Sequence, residues 1–247
     1  MKILKFLLLI FISGLGAGCK DKAVMPGKDA LVHFRFTNTV GGLNLSLNNV
    51  YYRNGAGNNF TIELLKYYVS NITLTDDQGK SLNLKNYNLL DASNNASLIF
   101  TPETKIPNGK YRNMVFYIGI DKERNHTGAQ EGALNPSNGM LWTWNFGYIF
   151  FKMEGHFTSS TFLTPTPYRQ HLGLDEALTA VSIPIQMDVN GADKTISVAF
   201  DAAKALAVKD TIDLSVDKDR QSNPGDEAWM KKLSSNLSAS FAVTRIQ

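Results

Sequence analysis

Four runs in this chain repeat apolar side chains at every second position. They are Leu43, Leu45 and Leu47; Met114, Phe116, Ile118 and Ile120; Val181, Ile183, Ile185 and Met187; and Ile196, Val198 and Phe200. A period of two is that of a β-strand with one face buried. Strong turn signals separate such runs: RNGAGNN at 53–59, DDQG at 76–79 and Pro107-Asn108-Gly109. Residues 60–75 alternate, slip and alternate again, which predicts a bulge or a helical turn near residues 65–70. Pro184 places the 181–187 strand at a sheet edge or turns its nitrogen outward. Only residues 202–208 and 226–235 read as helix, and residues 237–246 read as a final strand. Short strands joined by turns predict an all-β, single-domain β-sandwich with long inserted loops and one or two short helices.

The N-terminus has a different character. Lys2 and Lys5 precede an apolar run at 6–12, then small residues leading to Cys19. That order predicts a signal peptide over residues 1–18. The apolar run is too short to span a bilayer as a mature helix. The stretch Leu15-Gly-Ala-Gly-Cys19 resembles a bacterial lipoprotein box, with Leu15 one position further out than usual. Cys19, the chain's single cysteine, is then the lipidation site; the alternative is a plain signal peptide with an incidental cysteine. Residues 19–29 read as a lipid-anchored tether and 30–247 as the folded domain. Lys20 and Asp21 resemble the charged tether of Bacteroidetes surface lipoproteins. The expected location is outside the cytoplasm, at the outer membrane, on its periplasmic or its outer face. An acylated Cys19 leaves no thiol for a disulfide, a nucleophile or a metal. Of the formal charge of +3, Lys2 and Lys5 belong to the leader, so the remainder is close to neutral and has no footprint for nucleic acid.

Chemistry concentrates in GMLWTWNFGYIFFKMEG at 139–155. Met140, Trp142, Trp144, Phe146, Tyr148 and Phe150 alternate there, predicting one strand with an aromatic face. Two loops flank it, 121–139 with His126 and 158–174 with His171. Loops of that length in a compact β domain are usually functional. Motifs for hydrolysis, phosphoryl transfer or nucleotide binding are missing: no H-E-x-x-H, no G-x-S-x-G and no phosphate loop occurs. A soft-metal site remains open, because imidazole suits copper and zinc and thioether sulfur favours Cu(I). Against it stand a solvated His126 and an aromatic stripe that is simply sandwich core. Asp121, Asn125, Asn135 and Asn138 offer oxygens to calcium but match no loop motif.

Several segments together carry a resemblance. They are Gly119-Ile-Asp121, Asn125-His126-Thr-Gly128, Ala133-Leu-Asn-Pro136, Gly139-Met-Leu-Trp-Thr-Trp144, Gly147-Tyr-Ile-Phe-Phe-Lys152 and His171-Leu-Gly173, with LLKYYVSNITL at 64–74. This pattern resembles the MbnP family of secreted copper-binding proteins over most of the mature chain. The resemblance implies a β-sandwich that binds copper and is not an enzyme. It also implies a partner, a di-haem oxidase of the MauG type that converts a tryptophan to kynurenine. Opening an indole turns a group with only an N–H donor into an arylamine that can coordinate a metal. By motif, Trp144 or Trp142 is the modified residue, and His126 and His171 are ligands. His33 and Met140 complete the candidate metal set. Arg245 stands where the family leads one to expect a histidine near the C-terminus. The expected function is copper uptake or homeostasis, with the metal bound as Cu(I). The alternative is a surface lipoprotein that binds a glycan or a protein, with a structural aromatic strand and no metal.

Overall fold

The computed structural model describes residues 28–48, 50–143 and 145–247; Trp144, Cys19 and the expected signal peptide at 1–18 lie outside the described residues. The chain opens with β1 (Val32–Val40) and β2 (Leu43–Asn44), then a small hairpin of β3 (Tyr52–Arg53) and β4 (Asn59–Phe60). The long β5 (Leu64–Asp76) follows, with β6 (Ser81–Asn83) and β7 (Tyr87–Asp91) both paired to it. Then come β8 (Ile99–Phe100), β9 (Gly109–Ile118) and a single helical turn, α1 (Lys122–Asn125). The strands β10 (Leu141–Thr143), β11 (Gly147–Thr158), β12 (Thr166–Gly173), β13 (Thr179–Val189) and β14 (Lys194–Asp201) succeed it. The chain ends with α2 (Ala202–Ala207), β15 (Asp219–Gln221), α3 (Glu227–Leu237) and β16 (Phe241–Ile246).

These strands form two sheets. The smaller has the order β16-β14-β1-β2, with β8 beside β1. The larger has the main path β13-β9-β5-β11-β12-β15. The expected sandwich is what forms, and Pro184 sits in the edge strand β13 at a shift of register. Both expected helices are present, as α2 and α3. The turn α1 is a third helix that no sequence signal announced. The phase slip in β5 is a bulge centred on Asn71, whose φ is 50°. Among the described residues, no helix is long and apolar enough to cross a membrane.

Aromatic rings hold the sheets together. Tyr67 of β5 meets Phe200 of β14 at 5.1 Å and Phe241 of β16 at 5.9 Å between ring centroids. Phe116 of β9 contacts Phe36 of β1 and Phe241, while Phe151 of β11 contacts Phe200. Such pairs add about 0.5–1.5 kcal/mol each beyond the area they bury. The buried Tyr67 hydroxyl donates across the sandwich to Asn38 Oδ1 at 2.8 Å, so its polar atom is satisfied.

Three expectations are overturned. The run at 43–47 is not a half-buried strand, because β2 covers only Leu43–Asn44 and Leu43 is exposed. Residues 140–150 are not one strand. Leu141 pairs with Tyr148 and Thr143 with Gly147, so β10 and β11 make a hairpin. The Phe146 amide donates to the Thr143 carbonyl at 3.1 Å and Gly147 has φ of +77°, which closes the turn. Asn145 and Gly147 are turn residues, but the aromatic alternation continues through them and hides the signal. Met140 is therefore buried while Phe146 is exposed. Nor are residues 158–174 one long loop, because 166–173 is β12, flanked by β11 and β15 in the large sheet. Its inward positions are Tyr168, Gln170 and Leu172, and the polar Gln170 breaks the apolar alternation. Gln170 is fully buried because its Oε1 accepts the Trp229 indole N–H at 2.9 Å and its amide donates to backbone carbonyls.

Candidate metal centre on the outer face

Strand β11 turns Phe151, Met153 and Phe157 into the sandwich and Lys152, Glu154 and His156 away from it. Strand β12 follows the same alternation. His171 lies opposite Lys152 in the register and Arg169 opposite Glu154, so His171 belongs to the outer face.

The loop at 121–139 covers part of that face. It starts with Asp121, which caps α1 by accepting the Arg124 amide at 3.2 Å. Asp121 is itself gripped by the Asn71 amide at 2.9 Å and by the Tyr87 hydroxyl. Burial pushes its carboxyl up, but these hydrogen bonds outweigh that and hold it below the usual range. Further along, Tyr68 donates to the Ala133 carbonyl and Tyr148 to the Leu134 carbonyl. Lys66 and Lys152 reach the carbonyls of Asn138 and Gly139. The loop is thus fastened to the sheet by β5 and β11 at several separate points.

Asn125 closes the assembly. It is 2 % exposed. Its Oδ1 accepts the Tyr148 amide at 2.8 Å and its Nδ2 donates to Asp175 Oδ1 at 2.8 Å. A Cβ on Gly147 would stand 2.3 Å from that Oδ1, so position 147 must be glycine for this contact as well as for its φ. His126, the next residue, places Nε2 3.0 Å from Asp175 Oδ1 and is itself exposed. Asp175 lies just past β12. The asparagine, the glycine and the histidine of the resembling motifs are thereby joined in one polar knot.

A second contact ties the hairpin to β12. Gly173 shares the outer face with His171, two residues away, and the Trp142 ring lies directly over it. A Cβ there would be 2.6 Å from Trp142 Cζ3 and 2.6 Å from the Tyr148 carbonyl oxygen. Trp142 is half-buried in this position.

His171 is the deepest of the four histidines, at 6 % exposed. Its Nε2 lies 2.7 Å from Glu154 Oε1. Its Nδ1 is buried and has no hydrogen-bonding partner among the described residues. Leaving such an atom unsatisfied costs about 1–3 kcal/mol. Burial lowers the pKa of this imidazole, and Glu154 opposes that shift only in part. The neutral form so favoured is the one that binds metals.

The other candidates are distributed differently. His33 lies on β1 of the small sheet, with Nδ1 2.7 Å from the Thr101 hydroxyl and Nε2 3.9 Å from Asp193. Arg245 is on the same sheet, opposite Ser197. Met140 is buried at the start of the hairpin, its carbonyl accepting the Ile149 amide. Trp144 and Cys19 fall outside the described residues. Among the described residues, no three side chains of His, Cys, Asp or Glu converge on one point. Three of the four residues considered for calcium have their oxygens engaged elsewhere: Asp121 and Asn135 cap helical turns, and Asn125 Oδ1 accepts from Tyr148.

Sequence reasoning missed Glu154, Asp175 and Gly173. The alternation Lys152, Glu154, His156 marks an outer strand face, but only the recognition of β12 would have put His171 beside it.

The fold is similar to that of MbnP from Methylosinus trichosporium, with a TM-score of 0.50 and 17% identity, covering 79% of this chain and 82% of that one. No curated protein sequence matches the chain significantly. The profile of the MbnP family matches residues 29–226, most of the chain and all of the outer-face assembly, from Lys66 to Asp175. The chain belongs to the MbnP family.

Proposed function

We propose that this protein is an exported, lipid-anchored copper-binding protein whose metal site lies on the outer face of the large sheet. The observation that carries the reading is His171: a buried imidazole with one nitrogen on a carboxylate and the other without a partner among the described residues. That is the arrangement of a metal-ligating histidine whose second nitrogen is fixed by its surroundings. His126 is the second ligand, held at the rim of the same assembly by Asp175. A soft, filled-shell Cu(I) ion suits these imidazoles and the thioether of Met140. Since no three ionisable ligands converge among the described residues, the remaining donors come from neutral groups. A kynurenine formed at Trp142 or Trp144 supplies one as an arylamine. The oxidation falls to a di-haem partner of the MauG type. Cys19 carries the lipid, and the protein works in copper uptake or homeostasis outside the cytoplasm rather than as an enzyme.

The test is to purify the protein from its native host. Metal analysis is expected to find copper, and peptide mass spectrometry over 139–155 is expected to find an oxidised Trp142 or Trp144. Unmodified tryptophans together with no copper defeat the reading. A glycan- or protein-binding lipoprotein would then be the better account of the same surface.

A further inference from the structure

We infer that Glu154 is the positioning residue of this metal site: its carboxylate accepts the Nε2–H of His171 and so presents the bare lone pair of Nδ1 to the metal. The inference rests on the copper reading above and adds which atom of His171 ligates and what orients it.

The argument begins with the ring itself. A neutral imidazole carries one proton, and the hydrogen bond of one nitrogen decides the role of the other. Glu154 Oε1 lies 2.7 Å from Nε2, and an ionised carboxylate only accepts. The proton therefore sits on Nε2. Turning the ring over would set a carbon against that oxygen, so the same contact fixes the orientation. What is left is an acceptor, Nδ1, buried and without a donor among the described residues. A histidine serving only the fold would be expected to find a donor for that lone pair.

Register gives the direction of the grip. Glu154 lies opposite Arg169, two positions before His171, whereas Gly173 and the Trp142 ring lie two positions after it. The carboxylate thus holds the ring from the side away from Trp142. Glu154 itself is steadied by Lys152, whose Nζ is 3.7 Å from the same oxygen, and that lysine is tied to the Gly139 carbonyl. His126 does not share this definition. Its Nε2 faces both a carboxylate oxygen and, at 3.5 Å, the Asn125 amide nitrogen.

The experiment uses the full chain purified from its native host with a 15N label, so that any tryptophan modification is retained. In the metal-free protein, the imidazole nitrogen shifts are expected to report the Nε2–H form for His171. Cu(I) titration against a competing chelator is expected to show binding that His171→Ala loses. Glu154→Ala is expected to weaken binding about 10–100-fold, the usual cost of losing such a partner. Glu154→Gln, which keeps an acceptor oxygen, is expected to recover part of the loss and to retain the Nε2–H form. An Nδ1–H form in the wild type overturns the inference whatever copper does. So does a Glu154→Ala variant that binds as tightly as wild type while His171→Ala fails. Should the wild-type chain take up no Cu(I) although His171 shows the Nε2–H form, it is the copper reading that falls, and the metal-facing role of Glu154 with it.

Discussion

The two faces of β11 and β12 are built on opposite principles. Inward, Phe151, Met153, Phe157 and Leu172 are fully buried, with Phe151 packed beside Tyr67 of the same sheet and against Phe200 of the facing sheet. Those contacts are non-directional and depend on shape and area. Outward, the neighbours arrive from different segments, and hydrogen bonds place most of them. Glu154 holds His171, Asn125 holds Tyr148 and Asp175, and Trp142 rests on Gly173. The inner face sets whether the chain folds. The outer face sets where a few atoms stand. One strand pair does both because its alternation keeps the two tasks on separate side chains.

Substitutions on the two faces should therefore separate stability from site geometry. The largest effect is expected for Phe200→Ala, which removes from the facing sheet a fully buried ring that packs on Phe151 of the inner face and on Tyr67 and Phe241. Denaturant unfolding should show a loss of about 3–5 kcal/mol. His171→Ala should change stability by about 1 kcal/mol or less, since it loses one hydrogen bond and also relieves a buried nitrogen that has no partner among the described residues. Equal losses in the two variants would break the distinction between the faces.

Next in size is Gly147→Ala, where a methyl group meets the Asn125 carboxamide and the backbone needs φ of +77°. A loss of about 1–3 kcal/mol is expected, with the amide signals of Tyr148 and His126 shifting together because Asn125 links them. A variant that shifts Tyr148 and leaves His126 unmoved would show that the knot does not couple hairpin to loop. Gly173→Ala sharpens the same point from the other side. Its Cβ meets the Trp142 ring and a backbone oxygen, so Trp142 must leave its seat. The expected sign is increased quenching of Trp142 fluorescence by acrylamide, read as the difference between chains with and without Trp142→Phe. Unchanged quenching would mean that the ring is not held by Gly173.

The inner face was the legible one. Period-two runs of Phe, Ile, Val and Met report one buried face, and that was enough to predict a sandwich and to put Pro184 in an edge strand. The outer face was legible only as a set of residue types. His126, His171 and Trp142 stood out by their chemistry, but their partners did not. Glu154 is an ordinary charged residue until β12 lies beside it. Strand β12 was hidden because Gln170 takes an inward position that pattern reading reserves for apolar groups, and only Trp229, about sixty residues later, makes that burial tolerable. The hairpin at 143–147 was hidden for the converse reason, since an alternation of aromatics ran on through a turn. Periodicity reports the environment of each residue in turn, whereas the site consists of pairs brought together from distant segments.

The smallest effect concerns how the covering loop is moored. Asp121 has its carboxyl held below the ordinary value of about 3.9 because Asn71, Tyr87 and the Arg124 amide all donate to it. A carboxylate with a lowered folded-state pKa adds stability that is fully present above the unfolded value. That stability disappears as pH falls through the folded value. Asp121→Asn keeps an acceptor oxygen for the α1 cap but removes the charge. Wild type should therefore be the more stable above about pH 4, and the gap should close as the pH is lowered further. Urea unfolding of both chains from pH 6 to pH 3 measures it. A gap that stays constant across that range would assign the mooring to the shape of the side chain instead of its charge. The loop over the outer face would then depend on packing, as the sandwich interior does, and the contrast between the two faces would be narrower than the hydrogen bonds suggest.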